Sequence, residues 1–65
     1  MALTRMEEIL TDGLQLFPMT NGNRALVFMQ METEEQQREM VHYLSGSRKA
    51  TEKEILAVAR RIAEK

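Results

Sequence analysis

The chain has 65 residues, of which 43% are hydrophobic and 29% are charged, with a formal net charge of −1 and no cysteine. A domain of this size buries only about 60% of the surface that its unfolded chain exposes, so packing or self-association has to supply the stability that disulfides cannot. The lack of cysteine also excludes thiolate zinc sites and cysteine nucleophiles.

The charges are distributed unevenly along the chain. Residues 1–44 contain seven acidic and three basic residues, a net charge of −4, whereas residues 45–65 contain six basic and three acidic residues, a net charge of +3. Such asymmetry is typical of contact between unlike halves of two copies, or of a basic face that meets an acidic partner.

No apolar run approaches the length of a membrane span, and the N-terminal segment MALTRMEEIL is acidic where a secretory signal is basic and then apolar. We therefore expect a cytoplasmic protein with no membrane contact.

Three helix starts share one pattern, a threonine followed three residues later by Glu or Gln. This spacing is typical of a capping box, in which the threonine and the later side chain each bond a backbone N–H of the other residue. The three pairs are Thr4 with Glu7, Thr33 with Gln36, and Thr51 with Glu54.

The first helix is predicted from about Thr4 to Asp12. It is expected to stop at Gly13, because glycine readily adopts the left-handed conformation of a helix C-terminal cap. Leu14 would then fold back onto Ile9 and begin a new element.

A β-hairpin is predicted next, because an Asn-Gly pair separates the apolar runs LQLFPM and RALVFMQM. With Asn21 and Gly22 as the turn, Leu16 lies opposite Val27 and Leu14 opposite Met29, on a wholly apolar face that the helices are expected to cover. The alternative makes residues 24–31 a helix, since Ala, Leu, Met, Gln and Arg are all good helix formers.

Two further helices complete the chain, one from Thr33 to Leu44 with Gly46 as its cap, and one that begins at Thr51. The predicted fold is therefore a single α+β domain over residues 1–65, with a helix, a β-hairpin and two helices. The alternative is an all-α bundle of three to four short helices.

Catalytic and metal-binding patterns do not occur in the sequence. The single histidine, His42, has no Cys, second His or downstream Asp to orient it. Four glutamates between residues 32 and 39 lack the alternating Asp/Asn/Gly loop of a calcium site. We therefore expect a protein that is not an enzyme and that has no cofactor and no metal.

Methionine and phenylalanine side chains gather around the predicted hairpin, and methionine suits surfaces that accommodate a partner. We expect a protein–protein interaction or regulatory module, an adaptor or small inhibitor that occupies a partner surface. We also expect a homodimer whose interface includes the strand from Arg24 to Met31. The candidate contact residues are Phe17, Met19, Leu26, Phe28 and Met31.

The alternative function is DNA binding. The predicted order of strand, helix, loop and helix over residues 24–65 resembles the layout of ribbon-helix-helix DNA-binding dimers. The resemblance implies a DNA-binding regulator, with the segment SGSRKAT on the phosphate backbone. Arg48, Lys49 and Lys53 are the candidate contacts to phosphate or to an acidic partner.

Overall fold

The computed structural model describes residues 2–65, and in this range the secondary structure is entirely helical. The four helices are α1 (Arg5–Gln15), α2 (Asn21–Gln30), α3 (Glu34–Gly46) and α4 (Glu52–Ala63). The α+β prediction is wrong, and the chain has the all-α alternative instead.

The segment predicted as a β-hairpin contains the end of α1, a short loop and the whole of α2. Asn21 and Gly22 are not turn residues but the first two residues of α2, and Gly22 does not have a positive φ. Thr20 is the N-cap, and its side chain accepts a hydrogen bond from the Asn23 N–H at 3.2 Å. Asn21 and Gly22 are tolerated here because they lie in the first turn of the helix and not in its interior. The backbone N–H groups of a first turn have no partner within the helix.

The glycine caps are also placed differently from the prediction. α1 continues through Gly13 to Gln15, and Leu16 is its C-cap. Gly46 is the last residue of α3, and Ser47 is the C-cap. Neither glycine has a positive φ, so neither helix ends in the left-handed conformation that the sequence suggested.

The three predicted capping boxes are confirmed. In α1, α3 and α4 the threonine side chain accepts from the backbone N–H three residues on, and the Glu or Gln there accepts from the threonine N–H. Each cap typically contributes about 1 kcal/mol. These local signals fix where three of the four helices begin.

The helices form a closed arrangement in which each one contacts two others. α1 packs against α2 and α3, and α4 packs against the same two helices. Within residues 2–65, α2 and α3 therefore lie on opposite sides of the bundle. The buried hydrophobic side chains form one core: Leu10, Leu14, Phe17, Met19, Val27, Met31, Met40, Leu44, Ile55, Ala59 and Ile62.

The polar side chain of Gln37 is buried with this core and donates to the Met31 carbonyl at 3.0 Å. This bond ties the end of α2 to α3 and satisfies a carbonyl that the helix end leaves unpaired. None of the helices in the described range is long and apolar enough to cross a bilayer.

Candidate functional site on helix α2

The start of α2 is held by a carboxylate from α4. Glu52 accepts hydrogen bonds from the Thr20 N–H at 2.9 Å, the Thr20 hydroxyl at 3.3 Å and the Asn23 side-chain amide at 2.7 Å. Glu52 thus takes the place of the Glu or Gln that the other three helices carry at their third residue. A carboxylate at this helix end also suits the helix dipole.

These hydrogen bonds hold the pKa of Glu52 below its ordinary value. The bond from Asn23 has the largest effect and the bond from the Thr20 N–H the next largest, and together they outweigh partial desolvation. Hydrogen bonds to the ionised form favour ionisation. Glu52 therefore stays charged at neutral pH.

Arg24 fastens α2 to the end of α1. Its guanidinium donates to the Leu14 carbonyl at 3.2 Å, to the Phe17 carbonyl at 2.7 Å and to the Asn21 side chain at 3.0 Å. Carbonyls at a helix C-terminus have no partner within the helix and carry a partial negative charge. Polar contacts from two neighbouring helices therefore fix the first turn of α2.

The exposed side of α2 is apolar. Val27 is the one fully buried residue of this helix, whereas Leu26 is 47% exposed and Met29 is 73% exposed. With Gly22 and Ala25, which are also exposed, they have the spacing i, i+3, i+4 and i+7 of one helix face. We call these four residues the α2 outer face.

An open groove of about 330 Å³ lies between α1 and α2 beside this face. Leu3, which is 45% exposed, and Phe28, which packs against the core, contribute to it. The full lining is Leu3, Thr11, Leu14, Gln15, Arg24, Ala25, Phe28 and Met29. A second groove on the other side of α2 is lined by Leu26, Gln30, Leu56, Ala57 and Arg60.

Exposed charges of opposite sign follow the two outer margins of these grooves. On α1, Glu8 and Asp12 lie one helical turn from the groove residues Thr11 and Gln15. We call Glu8 and Asp12 the acidic edge.

On α4, Arg60 lines the second groove and Lys53 lies on the same helix face two turns earlier. We call Lys53 and Arg60 the basic edge. The α2 outer face is therefore an uncharged strip between a negative and a positive margin.

The predicted contact residues do not form one surface. Phe17, Met19 and Met31 are buried in the core, and Phe28 is partly buried against it. Of the five, Leu26 alone is exposed. The hairpin interpretation missed Met29, because it placed this side chain on the covered face. The helical alternative for residues 24–31 contained the signal that would have found it.

The predicted basic residues lie elsewhere. Arg48 and Lys49 are exposed in the loop between α3 and α4, and Lys53 is exposed in the first turn of α4. Glu54 lines the same depression as Arg48 and Lys49 and fills the N-terminal cap of α4 with its carboxylate. Its negative charge opposes phosphate at this helix end. The resemblance to ribbon-helix-helix proteins does not hold, because residues 24–31 are not a strand.

Within residues 2–65, no three His, Asp or Glu side chains are grouped as a metal site would require. His42 is exposed on α3, which lies on the opposite side of the bundle from α2. Comparison of the chain with protein-family models, curated proteins and solved structures finds no match. The interpretation of the α2 outer face therefore depends on its geometry and chemistry alone.

Proposed function

We propose that the protein is a non-enzymatic protein–protein interaction module whose α2 outer face binds a partner protein, so that it acts as an adaptor or as a small inhibitor that occupies the partner surface. The observation that supports this proposal is the exposure of Met29 and Leu26 on the part of α2 from Ala25 to Met29, which is apolar on every side. A helical segment of this composition is normally buried, and in this chain it is covered on its inner side alone.

The energetics favour such a contact. Burying the Leu26 and Met29 side chains would contribute about 1.5–3 kcal/mol each before the cost of association. Gly22 and Ala25 are small, so a partner backbone can approach α2 closely. Because Glu52 and Arg24 already fix the start of α2, little ordering is needed on binding, which lowers the entropic cost.

The test compares two single variants as baits in the cells that produce the protein. Met29→Glu places a charge in the centre of the α2 outer face, and glutamate is a good helix former, so the fold is kept. Leu16→Glu is the matched control, because Leu16 is 80% exposed at the end of α1 and does not line the α1–α2 groove.

We expect a partner that the unmodified protein and Leu16→Glu retain and that Met29→Glu loses, and the same difference in a binding titration with the purified partner. Equal binding to all three baits would place the interaction on another surface and contradict the proposal. Circular dichroism confirms that each variant remains helical.

A further inference from the structure

We propose that the partner of the α2 outer face is a second copy of this chain, in a twofold dimer whose two α2 helices pack side by side and parallel. In this dimer the acidic edge of each protomer faces the basic edge of the other. The inference rests on the proposed function, because it names the partner of the same surface.

The contacts around α2 give the relative directions of its two neighbours. Arg24, near the start of α2, bonds carbonyls at and just after the end of α1, whereas Met29, near the end of α2, shares a groove with Leu3, which lies two residues before α1 begins. α1 is therefore antiparallel to α2. Glu52 meets the start of α2 and Arg60 lies near its end, so α4 is parallel to α2.

Twofold symmetry allows two ways to bring the outer faces together. An axis along α2 keeps the helices parallel and places α1 of one protomer over α4 of the other. An axis across α2 makes the helices antiparallel and places α1 over α1 and α4 over α4. The second arrangement sets the acidic edge against a second acidic edge and the basic edge against a second basic edge, which costs free energy. The first arrangement sets each acidic edge against a basic edge.

The order of charges along the two helices matches the parallel arrangement. Measured from the start of α2, the acidic edge presents Asp12 and then Glu8, and the basic edge presents Lys53 and then Arg60. In the parallel dimer Asp12 of one protomer therefore faces Lys53 of the other, and Glu8 faces Arg60, and each pair occurs twice. Arg60 also has a partner within its own chain, Glu64 at 3.0 Å.

The shape of the α2 outer face fits a helix in contact with its own copy. Its spacing of three and four residues is that of a coiled-coil seam, with the small residues Gly22 and Ala25 beside the longer Leu26 and Met29. A side-chain carbon added at Gly22 would meet no atom of the described chain. Close approach of the partner helix is therefore unobstructed at this end.

The size of the surface requires the charged edges to take part. A stable interface buries about 800 Å² on each partner, and the chain exposes 4755 Å² in total. A helix of ten residues is only about 15 Å long, which is too short to supply this area alone. The margins on α1 and α4 extend the contact to three helices, so their charges lie inside the interface.

Charge reversal on one edge at a time tests the arrangement by sedimentation equilibrium. The two variants are Glu8→Lys with Asp12→Lys, and Lys53→Glu with Arg60→Glu. In a parallel homodimer of either variant, like charges meet across the interface. We therefore expect the dissociation constant of that homodimer to rise by about tenfold or more. An equimolar mixture of the two should restore association as a heterodimer, because both edges then face unlike charges.

The matched controls reverse exposed charges on the opposite side of the bundle, Glu35→Lys in α3 and Arg48→Glu in the following loop. We expect both controls to dimerise like the unmodified chain. Met29→Glu should also be monomeric. For the unmodified dimer, added salt should weaken association, since the edges attract.

Three outcomes would overturn the inference. A monomeric unmodified chain throughout the micromolar range excludes the dimer, but leaves the bait comparison with Met29→Glu to decide the proposed function separately. A dimer that neither charge reversal weakens is not the parallel one. A dimer that survives Met29→Glu uses another surface.

Discussion

Glu52 joins the starts of α2 and α4, which are far apart in the sequence. Because its carboxylate accepts the hydrogen bonds of this contact in the ionised form, the contact depends on pH. The Glu52 carboxylate caps α2, whose N-cap residue Thr20 lies 32 residues earlier in the chain. Since its pKa is lowered in the folded state, folding is favoured by ionisation of Glu52. This contribution is complete above the ordinary pKa of a glutamate and is lost as the pH falls through the lowered value.

We therefore predict that Glu52→Gln reduces the free energy of unfolding at neutral pH and makes its loss in acid less steep. Urea unfolding at a series of pH values between neutral and strongly acidic measures both effects. Part of the acid dependence of stability remains in this variant, because the pKa of Glu54 is also lowered, by hydrogen bonds from the Thr51 N–H and hydroxyl. Curves that stay parallel at every pH would show that Glu52 is not linked to folding.

Glu35→Gln is the matched control for this experiment, because Glu35 also lies in the first turn of a helix but is exposed. We expect it to leave the shape of the pH profile unchanged. The comparison separates the effect of the capping contact from the general effect of removing one negative charge.

At the scale of the element, α2 shows where local signals mislead. The Asn-Gly pair between two apolar runs has the sequence pattern of a hairpin, yet Thr20 caps a helix at the same place. The contacts that favour the helix come from Glu52 in α4 and from the carbonyls at the end of α1. Such long-range contacts are invisible to short-range patterns, whereas the three capping boxes are complete within four residues and were predicted correctly.

The same limit applies to the candidate site. The sequence indicates that the region around residues 24–31 has more apolar side chains than a small domain can cover, and Leu26 is indeed exposed. Which of these side chains face outward depends on the period of the element, three to four residues in a helix and two in a strand. The period of two placed Met29 on the covered face together with Val27, whereas the helix turns Val27 inward and Met29 outward.

Gly13 and Gly22 yield a prediction about the helices that contain them. Both are helical with no positive φ, so a side chain is compatible with the backbone. At Gly13 the added carbon would lie 3.5 Å from Leu44 Cδ1, an ordinary contact, and at Gly22 it would meet nothing. Gly13→Ala and Gly22→Ala should each stabilise the fold by about 0.5–1 kcal/mol.

Thermal unfolding at low protein concentration measures these changes. The chain is then monomeric, so the effect of Gly22→Ala contains no contribution from dimer contacts. For a domain of this size, 1 kcal/mol shifts the midpoint by about 4–8 °C. The double variant should show the sum of the two shifts, since the two sites share no contact. A lower midpoint for Gly22→Ala would instead favour a turn with positive φ at this residue.

At the scale of the whole molecule, one small core carries the stability. Proteins gain roughly 0.05–0.15 kcal/mol per residue on folding, which is about 3–10 kcal/mol for 65 residues. The core contains side chains from all four helices, and local caps contribute only about 1 kcal/mol each. The bundle therefore has little reserve against the loss of a central side chain.

Leu10 is the side chain with which we test this margin. It is fully buried in α1, with 0% exposure, whereas Leu16 at the end of the same helix is 80% exposed. Leu10→Ala should cost about 2–5 kcal/mol, because it removes buried methyl groups and leaves a cavity. Leu16→Ala should change the free energy of unfolding by less than about 0.5 kcal/mol.

Urea unfolding followed by circular dichroism distinguishes these two variants. We expect Leu10→Ala to be largely unfolded without denaturant, or to unfold at a much lower urea concentration than the unmodified chain. Both substitutions replace leucine by alanine, Leu10 within α1 and Leu16 at its C-cap, so their difference reports mainly on burial. Similar midpoints for the two variants would mean that Leu10 is not at the centre of the core, and that α1 does not pack on α2 and α3 in the way that the structure shows.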